Sequence, residues 1–187
     1  ASDEMLDGGD GMYLRGTGLL RIPDERNAWL VLLHADTRFD WPVFPGFGYQ
    51  WRFERGHYLV LGLPFLAAGG PLTERLRFEA AYFPINNVRA ALRYDVTDRI
   101  TPYLAFTWDS HYFERADRDN DHRLEFEDKR IAAGVAFTLG EHARLDLEAG
   151  YAFGRALGEY EDWDDSNNDT IDIEDAGFMG ATFRLAF

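Results

Sequence analysis

Three adjacent residues combine the side chains used in acyl transfer: Asp109 has a carboxylate, Ser110 a hydroxyl and His111 an imidazole. Their flanks alternate between apolar and polar residues, which indicates an extended strand. Successive side chains of a strand point to opposite faces, so Ser110 would face away from the other two. A direct proton relay is therefore geometrically poor. We predict a polar cluster near a strand end and no catalytic residue here.

A second cluster has the ligand spacing of a calcium-binding loop. Acidic residues occupy positions one, three, five, nine and twelve of such a loop, namely Asp117, Asp119, Asp121, Glu125 and Asp128. The pattern departs from that of an EF-hand at position six, where His122 replaces glycine, and at position twelve, where aspartate replaces glutamate. We expect no tightly bound cofactor and calcium held loosely at most. The alternative is an acidic, solvated connection.

Charged residues also alternate with apolar ones in several segments, which would place them together on one face of a sheet. The candidates are Arg75, Arg77, Glu79, Arg89, Arg93, Asp95, Asp109, Arg130, Arg144, Asp146, Glu148 and Arg184. The same face has small residues at 132, 134, 136, 150, 152 and 154. Small and mutually paired charged side chains suit a narrow, crowded interior. We therefore predict that these residues line a lumen.

The segments that carry these residues repeat with period two. Strands are expected near residues 12–22, 27–37, 47–54, 59–65, 75–82, 88–96, 104–109, 130–139, 144–154 and 178–187. No run of 18 or more apolar residues exists, which excludes a transmembrane helix. The pattern favours an all-β, closed antiparallel up-and-down barrel of about ten strands. Eight strands are the alternative if the first hairpin lies outside the wall.

Alternation alone does not decide which face is buried. A soluble barrel or sandwich would bury its apolar face and leave the charged face in water. The small residues on the charged face favour the opposite arrangement, and aromatic residues cluster near the proposed strand ends, as in the aromatic girdles of membrane barrels. We predict that the charged face points inward.

The last strand has apolar residues at alternate positions, and it ends in phenylalanine. These residues, Met179, Ala181, Phe183, Leu185 and Phe187, resemble the closing strand of bacterial outer-membrane β-barrels. The resemblance covers this segment and the general strand rhythm of the chain, and it assigns no specific family. It implies an integral outer-membrane protein whose final strand is the signal read by the assembly machinery, with membrane lipid and lipopolysaccharide as partners.

Length and composition set further bounds. The chain has 187 residues, no cysteine and a formal net charge of -14. This charge disfavours a nucleic-acid partner, because phosphates require a basic surface. The first residues have neither a basic nor an apolar leader, so we expect any secretory signal to have been removed. We predict one barrel domain over residues 12–187, after a flexible periplasmic lead over residues 1–11.

Connection lengths predict a molecule with two different ends. The connections 111–123 and 158–172 are long and acidic, whereas 96–100 and 139–143 are short. Outer-membrane barrels have long extracellular loops and short periplasmic turns, so the acidic loops would be extracellular and both termini periplasmic. The N-terminal half breaks this rule, because 39–45 and 67–73 fall on the predicted inner side.

The leading functional hypothesis is a structural barrel or a narrow pore for small solutes, since eight to ten strands leave an interior that side chains largely fill. The alternative is a module whose acidic loops bind cations, lipopolysaccharide or a partner. A lipid-modifying enzyme of the outer membrane is the third hypothesis, and the least favoured.

Overall fold

A computed structural model describes residues 15–36, 43–83, 87–114, 123–160 and 170–185. Over these residues the chain is all-β. Its strands are β1 (Arg15–Asp24), β2 (Asn27–Asp36), β3 (Val43–Arg52), β4 (Tyr58–Leu63), β5 (Leu66–Pro71), β6 (Leu76–Phe83), β7 (Asn87–Tyr94), β8 (Ile100–Glu114), β9 (Arg123–Leu139), β10 (Ala143–Tyr160), β11 (Thr170–Ile173) and β12 (Ala176–Leu185). No helix in these ranges is long and apolar enough to cross a membrane.

All strands belong to one antiparallel up-and-down sheet, in which each strand from β1 to β11 pairs with the next. β12 also pairs with β10, along the stretch that precedes the β11 pairing. β11 and β12 therefore form one strand path, interrupted at residues 174 and 175. Among the described residues no strand pairs with the outer edge of β1 or of β12, so hydrogen bonds do not close the sheet.

The sheet has more strands than the sequence predicts, because β5 lies in the segment 67–73 that was interpreted as a connection. This extra strand reverses the assignment of ends in the N-terminal half. The segments that join β2 to β3, β8 to β9 and β10 to β11 all connect at one end of the sheet. The turns 53–57, 72–75, 95–99 and 140–142 connect at the other, the short-turn end. The long connections thus all lie at one end, although the short connections 64–65 and 84–86 lie at that end too.

The other departures lie in the C-terminal half. β8 extends through Ser110 and His111 to Glu114, and β10 extends to Tyr160, so both strands enter segments predicted as connections. The start of β1 and the end of β12 lie at opposite ends of the sheet, whereas the sequence predicts both termini on one side. The reason is again β5, which makes the number of strand paths odd.

The two faces of the sheet differ in the exposure of their side chains, and successive residues of a strand belong to opposite faces. On the outer face, large apolar side chains are exposed: Met179 to 89%, Leu63 to 70% and Phe47 to 63%. On the inner face, Asp128 is 1% exposed and Asp146 is 6% exposed. Two carboxylates of the charged face are therefore buried, whereas its arginines Arg77, Arg89 and Arg184 are exposed. This distribution is the reverse of that in a soluble protein core.

The inner face of the N-terminal half is apolar instead. Leu30 and Leu32 of β2 pack with Val60 of β4 and with Phe65 in one buried cluster. The His34 ring in β2 lies 6.0 Å from the Phe83 ring in β6, measured between centroids. Since these strands are four places apart in the sheet, the sheet curls strongly here. Apolar side chains fill the concave side of this half.

Candidate functional site: a charged inner face

The charged inner face is built by β6, β7, β8, β9, β10 and β12. Cross-strand register brings its residues into rows: Arg77 lies opposite Arg93, Arg93 opposite Tyr103, and Glu148 opposite both Gly134 and Gly180. These positions recur every second residue along each strand, so each row is separated from the next by an outward row of apolar residues. The fold thus brings together charges that are far apart in the sequence.

Asp146 is the centre of the best-formed ion pair on this face. Its carboxylate accepts hydrogen bonds from Arg144 at 2.8 Å, on the same strand, and from Arg184 at 3.0 Å, on β12. The contact is bidentate, because the Arg144 Nε also donates a hydrogen bond to the Asp146 carboxylate. Such forked contacts fix both partners more firmly than a single contact does. The cluster links two neighbouring strands near the short-turn end.

The other strand arginines of the inner face also have carboxylate partners. Arg77 binds Asp95 at 3.1 Å, Arg89 lies 3.6 Å from Asp109, and Arg93 lies 3.9 Å from Glu79. Arg130 binds Asp128. Thr101 donates a further hydrogen bond to Asp95 at 3.0 Å. Positive and negative charges therefore neutralise each other locally, and the face has no extended region of one sign.

Two carboxylates face each other near the other end of the charged face. Asp109 of β8 lies directly opposite Asp128 of β9, and one oxygen of each is buried without a hydrogen-bond partner among the described residues. Like charges in this position repel each other. Arg89 and Arg130 offset the repulsion, because each forms an ion pair with one member of the pair.

Tyr103 belongs to the charged face, although the sequence argument did not single it out. Its hydroxyl donates a hydrogen bond to Glu148 at 3.0 Å, and the Arg93 guanidinium lies 5.2 Å from the centre of its ring. It covers Gly134, where a side chain would collide with the ring. The sequence signal was its position two residues from Thr101 and from Ala105, because residues at this spacing in a strand share one face.

Arg75 lies in the turn before β6 and is exposed, so it lies outside the strand that carries Arg77 and Glu79. Asp109 and Ser110 are neighbours in β8 and point to opposite faces, in agreement with the poor geometry expected for acyl transfer. Ser110 is buried, whereas His111 is exposed.

Three of the five predicted calcium ligands, Asp117, Asp119 and Asp121, lie outside the described residues. The other two, Glu125 and Asp128, lie within β9 rather than in a loop. Because they are three residues apart in an extended strand, they point to opposite faces. In the ranges that the structure describes, no three His, Asp or Glu side chains are placed to hold one metal ion.

The residues of the predicted assembly signal share one face. Met179, Ala181, Phe183 and Leu185 all lie on β12, and all are exposed. Phe187 lies outside the described residues. The same outer face has a shallow apolar groove of about 680 Å³, whose lining includes Leu92, Leu104, Ala133 and Leu147.

Comparison of the chain with protein-family models, with curated proteins and with solved structures gives no match.

Proposed function

We propose that this chain forms the wall of a bacterial outer-membrane β-barrel whose interior is closed or at most a narrow path for small solutes. The observation that carries the proposal is the reversed distribution of side chains: the sheet buries Asp128 and Asp146 and exposes Met179, Leu63 and Phe47. In water this outer face would be unfavourable, at about 25 cal/mol for each Å² of apolar surface. Hydrocarbon would remove that cost.

The arrangement of connections also supports the proposal. Every connection at one end of the sheet has five residues or fewer, whereas the long segment 115–122 and the long, acidic segment 161–169 join strands at the other end, beside the short connections 64–65 and 84–86. This difference between the two ends is typical of outer-membrane barrels. We assign the short-turn end to the periplasm and the acidic end to the cell exterior, where divalent cations would bridge it to lipopolysaccharide phosphates.

The interior favours a structural role or a very narrow path. Apolar side chains fill the N-terminal half around Leu32 and Phe65, and paired charges cover the C-terminal half. Since the strand arginines from β6 to β12 on this face have carboxylate partners, we expect weak selectivity between anions and cations. A structural barrel and a low-conductance pore share this prediction and differ only in whether current flows.

The test is refolding into lipid vesicles, followed by gel mobility with and without boiling and by circular dichroism. A β-rich species whose mobility changes on boiling supports the proposal, and a soluble β-rich monomer without lipid contradicts it. Planar-bilayer recordings then separate the two roles. A pore predicts a small current whose ion selectivity changes in an Arg93→Gln variant, whereas a structural barrel predicts none.

The acidic end favours a second candidate, in which the barrel anchors loops that bind cations, lipopolysaccharide or a partner. Deletion of residues 118–122 should abolish calcium-dependent binding to lipopolysaccharide vesicles and leave the boiling-dependent mobility unchanged. Binding that survives the deletion would contradict this role for that segment.

A further inference from the structure

The outer edges of β1 and β12 present backbone N–H and C=O groups that have no strand partner among the described residues. In water such an edge is hydrated. In hydrocarbon, which the proposed function assigns to this part of the chain, no water binds these groups, so each unsatisfied group is strongly unfavourable. The following inference therefore rests on the proposed function, and it concerns what occupies these two edges.

The two edges are not antiparallel partners of each other. Of the twelve strands, β11 and β12 share one path, which leaves eleven paths that alternate in direction. The first and last paths of an odd series run the same way, so β1 and β12 are parallel. Bacterial single-chain barrels have even numbers of antiparallel strands. One strand that runs opposite to both would complete such a ring.

The outer face of both edges is apolar. On β12, Met179 and Phe183 point outward and are exposed, as are Leu20 and Ile22 on β1. A strand between these edges would therefore present apolar side chains on the same face.

The inner face of both edges carries an arginine near the short-turn end. Arg21 of β1 lies opposite the buried Leu30 and contacts the Gln50 side chain at 3.4 Å, and no carboxylate of the described residues pairs with it. Arg184 of β12 shares Asp146 with Arg144. A strand between the two edges would meet both arginines, so an inward carboxylate at this end would be complementary to them.

We propose that the gap between β1 and β12 binds one β-strand of a separate polypeptide segment, antiparallel to both edges, with apolar residues outward and a carboxylate inward at the short-turn end. This is recognition by strand addition, in which backbone hydrogen bonds supply affinity and alternate side chains supply specificity.

Two other occupants fit less well. In a second copy that is inserted in the same orientation, β1 and β12 run in the same direction as in the first copy. Its edges could therefore pair with the free edges only in a parallel arrangement. Residues 1–14 carry Asp3 and Asp7 at odd positions and Glu4 and Asp10 at even positions. Any strand of eight or more residues within this segment would therefore turn a carboxylate toward lipid.

The test uses a synthetic ten-residue peptide that starts at the short-turn end. It has Val or Leu at odd positions, Ser or Thr at most even positions, Glu at position two and Cys at position three. In the proposed register these positions lie beside Arg184 and residue 183. Because the chain has no cysteine of its own, a Phe183→Cys variant in vesicles reports binding directly through a disulfide.

We expect a disulfide between peptide and variant, slower amide exchange in β12, and at least a several-fold lower yield when Lys replaces Glu in the peptide. Absence of the disulfide overturns the inference. Slow amide exchange in β12 without peptide also overturns the inference, because another strand would then already occupy the edge. This includes the case in which the exchange becomes fast when residues 1–14 are deleted. Quenching of the tryptophans by brominated lipid is measured on the same samples. An unquenched chain contradicts the proposed function itself, whereas a quenched chain without a disulfide contradicts only this inference.

Discussion

The Tyr103 side chain of β8 lies against the backbone of Gly134 in β9, so closely that a Cβ atom at residue 134 would come within 2.4 Å of the ring carbon Cζ. The contact orients the Tyr103 hydroxyl toward Glu148, which lies opposite Gly134 on the next strand. The positions of Tyr103, Gly134 and Glu148, on three adjacent strands, therefore depend on one another.

A Gly134→Ala substitution should destabilise the chain by about 1–3 kcal/mol, because both the ring and the backbone oxygen of Leu147 would have to move. The measurement is urea unfolding in lipid vesicles, followed by tryptophan fluorescence. Gly16→Ala is the matched control, since a Cβ atom at residue 16 meets nothing within 4 Å. It should be neutral or slightly stabilising.

The same contact predicts energetic coupling between the two residues. In a double-mutant cycle of Gly134→Ala with Tyr103→Ala, the coupling energy should exceed about 0.5 kcal/mol, because removal of the ring relieves part of the collision. Additive effects would show that the ring does not occupy the place described.

An Asp146→Asn substitution should destabilise the chain by about 1–3 kcal/mol, because Arg144 and Arg184 lose the buried carboxylate that they share. Asp95→Asn is the comparison. Its ion pair with Arg77 is more exposed, so its loss should cost less than about 1 kcal/mol. Equal effects in the same unfolding assay would contradict the difference in burial on which the account depends.

Most of the strands could be predicted because their large apolar residues recur at every second position, as Val135, Phe137 and Leu139 do in β9. β5 could not, because Ala67, Ala68, Gly69, Gly70 and Pro71 carry no large side chain and resemble a turn. Small residues are needed there because the Tyr58 ring covers Gly69 and the His57 ring covers Gly70. The pattern that defines this strand thus lies in the neighbouring segment.

The charged face could be predicted as a set of residues, but its pairs could not. Asp146 joins Arg184 across 38 positions, and Tyr103 joins Glu148 across 45. These contacts follow from strand register, and alternation in one strand does not reveal the register of its neighbour. The apolar interior of the N-terminal half had a weak signal in the run from Ala28 to Leu33, which is apolar at every position and thus supplies both faces of β2.

A Leu104→Arg substitution tests the environment of the outer face. In hydrocarbon an arginine near the centre of the wall costs about 2–4 kcal/mol, whereas on a surface in water it costs about 0.5 kcal/mol or less. His142→Arg, in the exposed turn 140–142, adds the same charge and should change little. If the two variants unfold alike in vesicles, the outer face is not in contact with lipid.

Cysteine labelling along residues 131–136 of β9 tests the central claim most directly, because β9 is paired on both sides and the chain has no other cysteine. Each single-cysteine variant carries a fluorophore and is measured in vesicles that contain nitroxide-labelled lipid. We predict strong quenching at 131, 133 and 135 and weak quenching at 132 and 136; residue 134 stays glycine, because a Cβ atom there would meet the Tyr103 ring. Uniform quenching, or the inverse alternation, would contradict a sheet with its apolar face in lipid and its charged face inside.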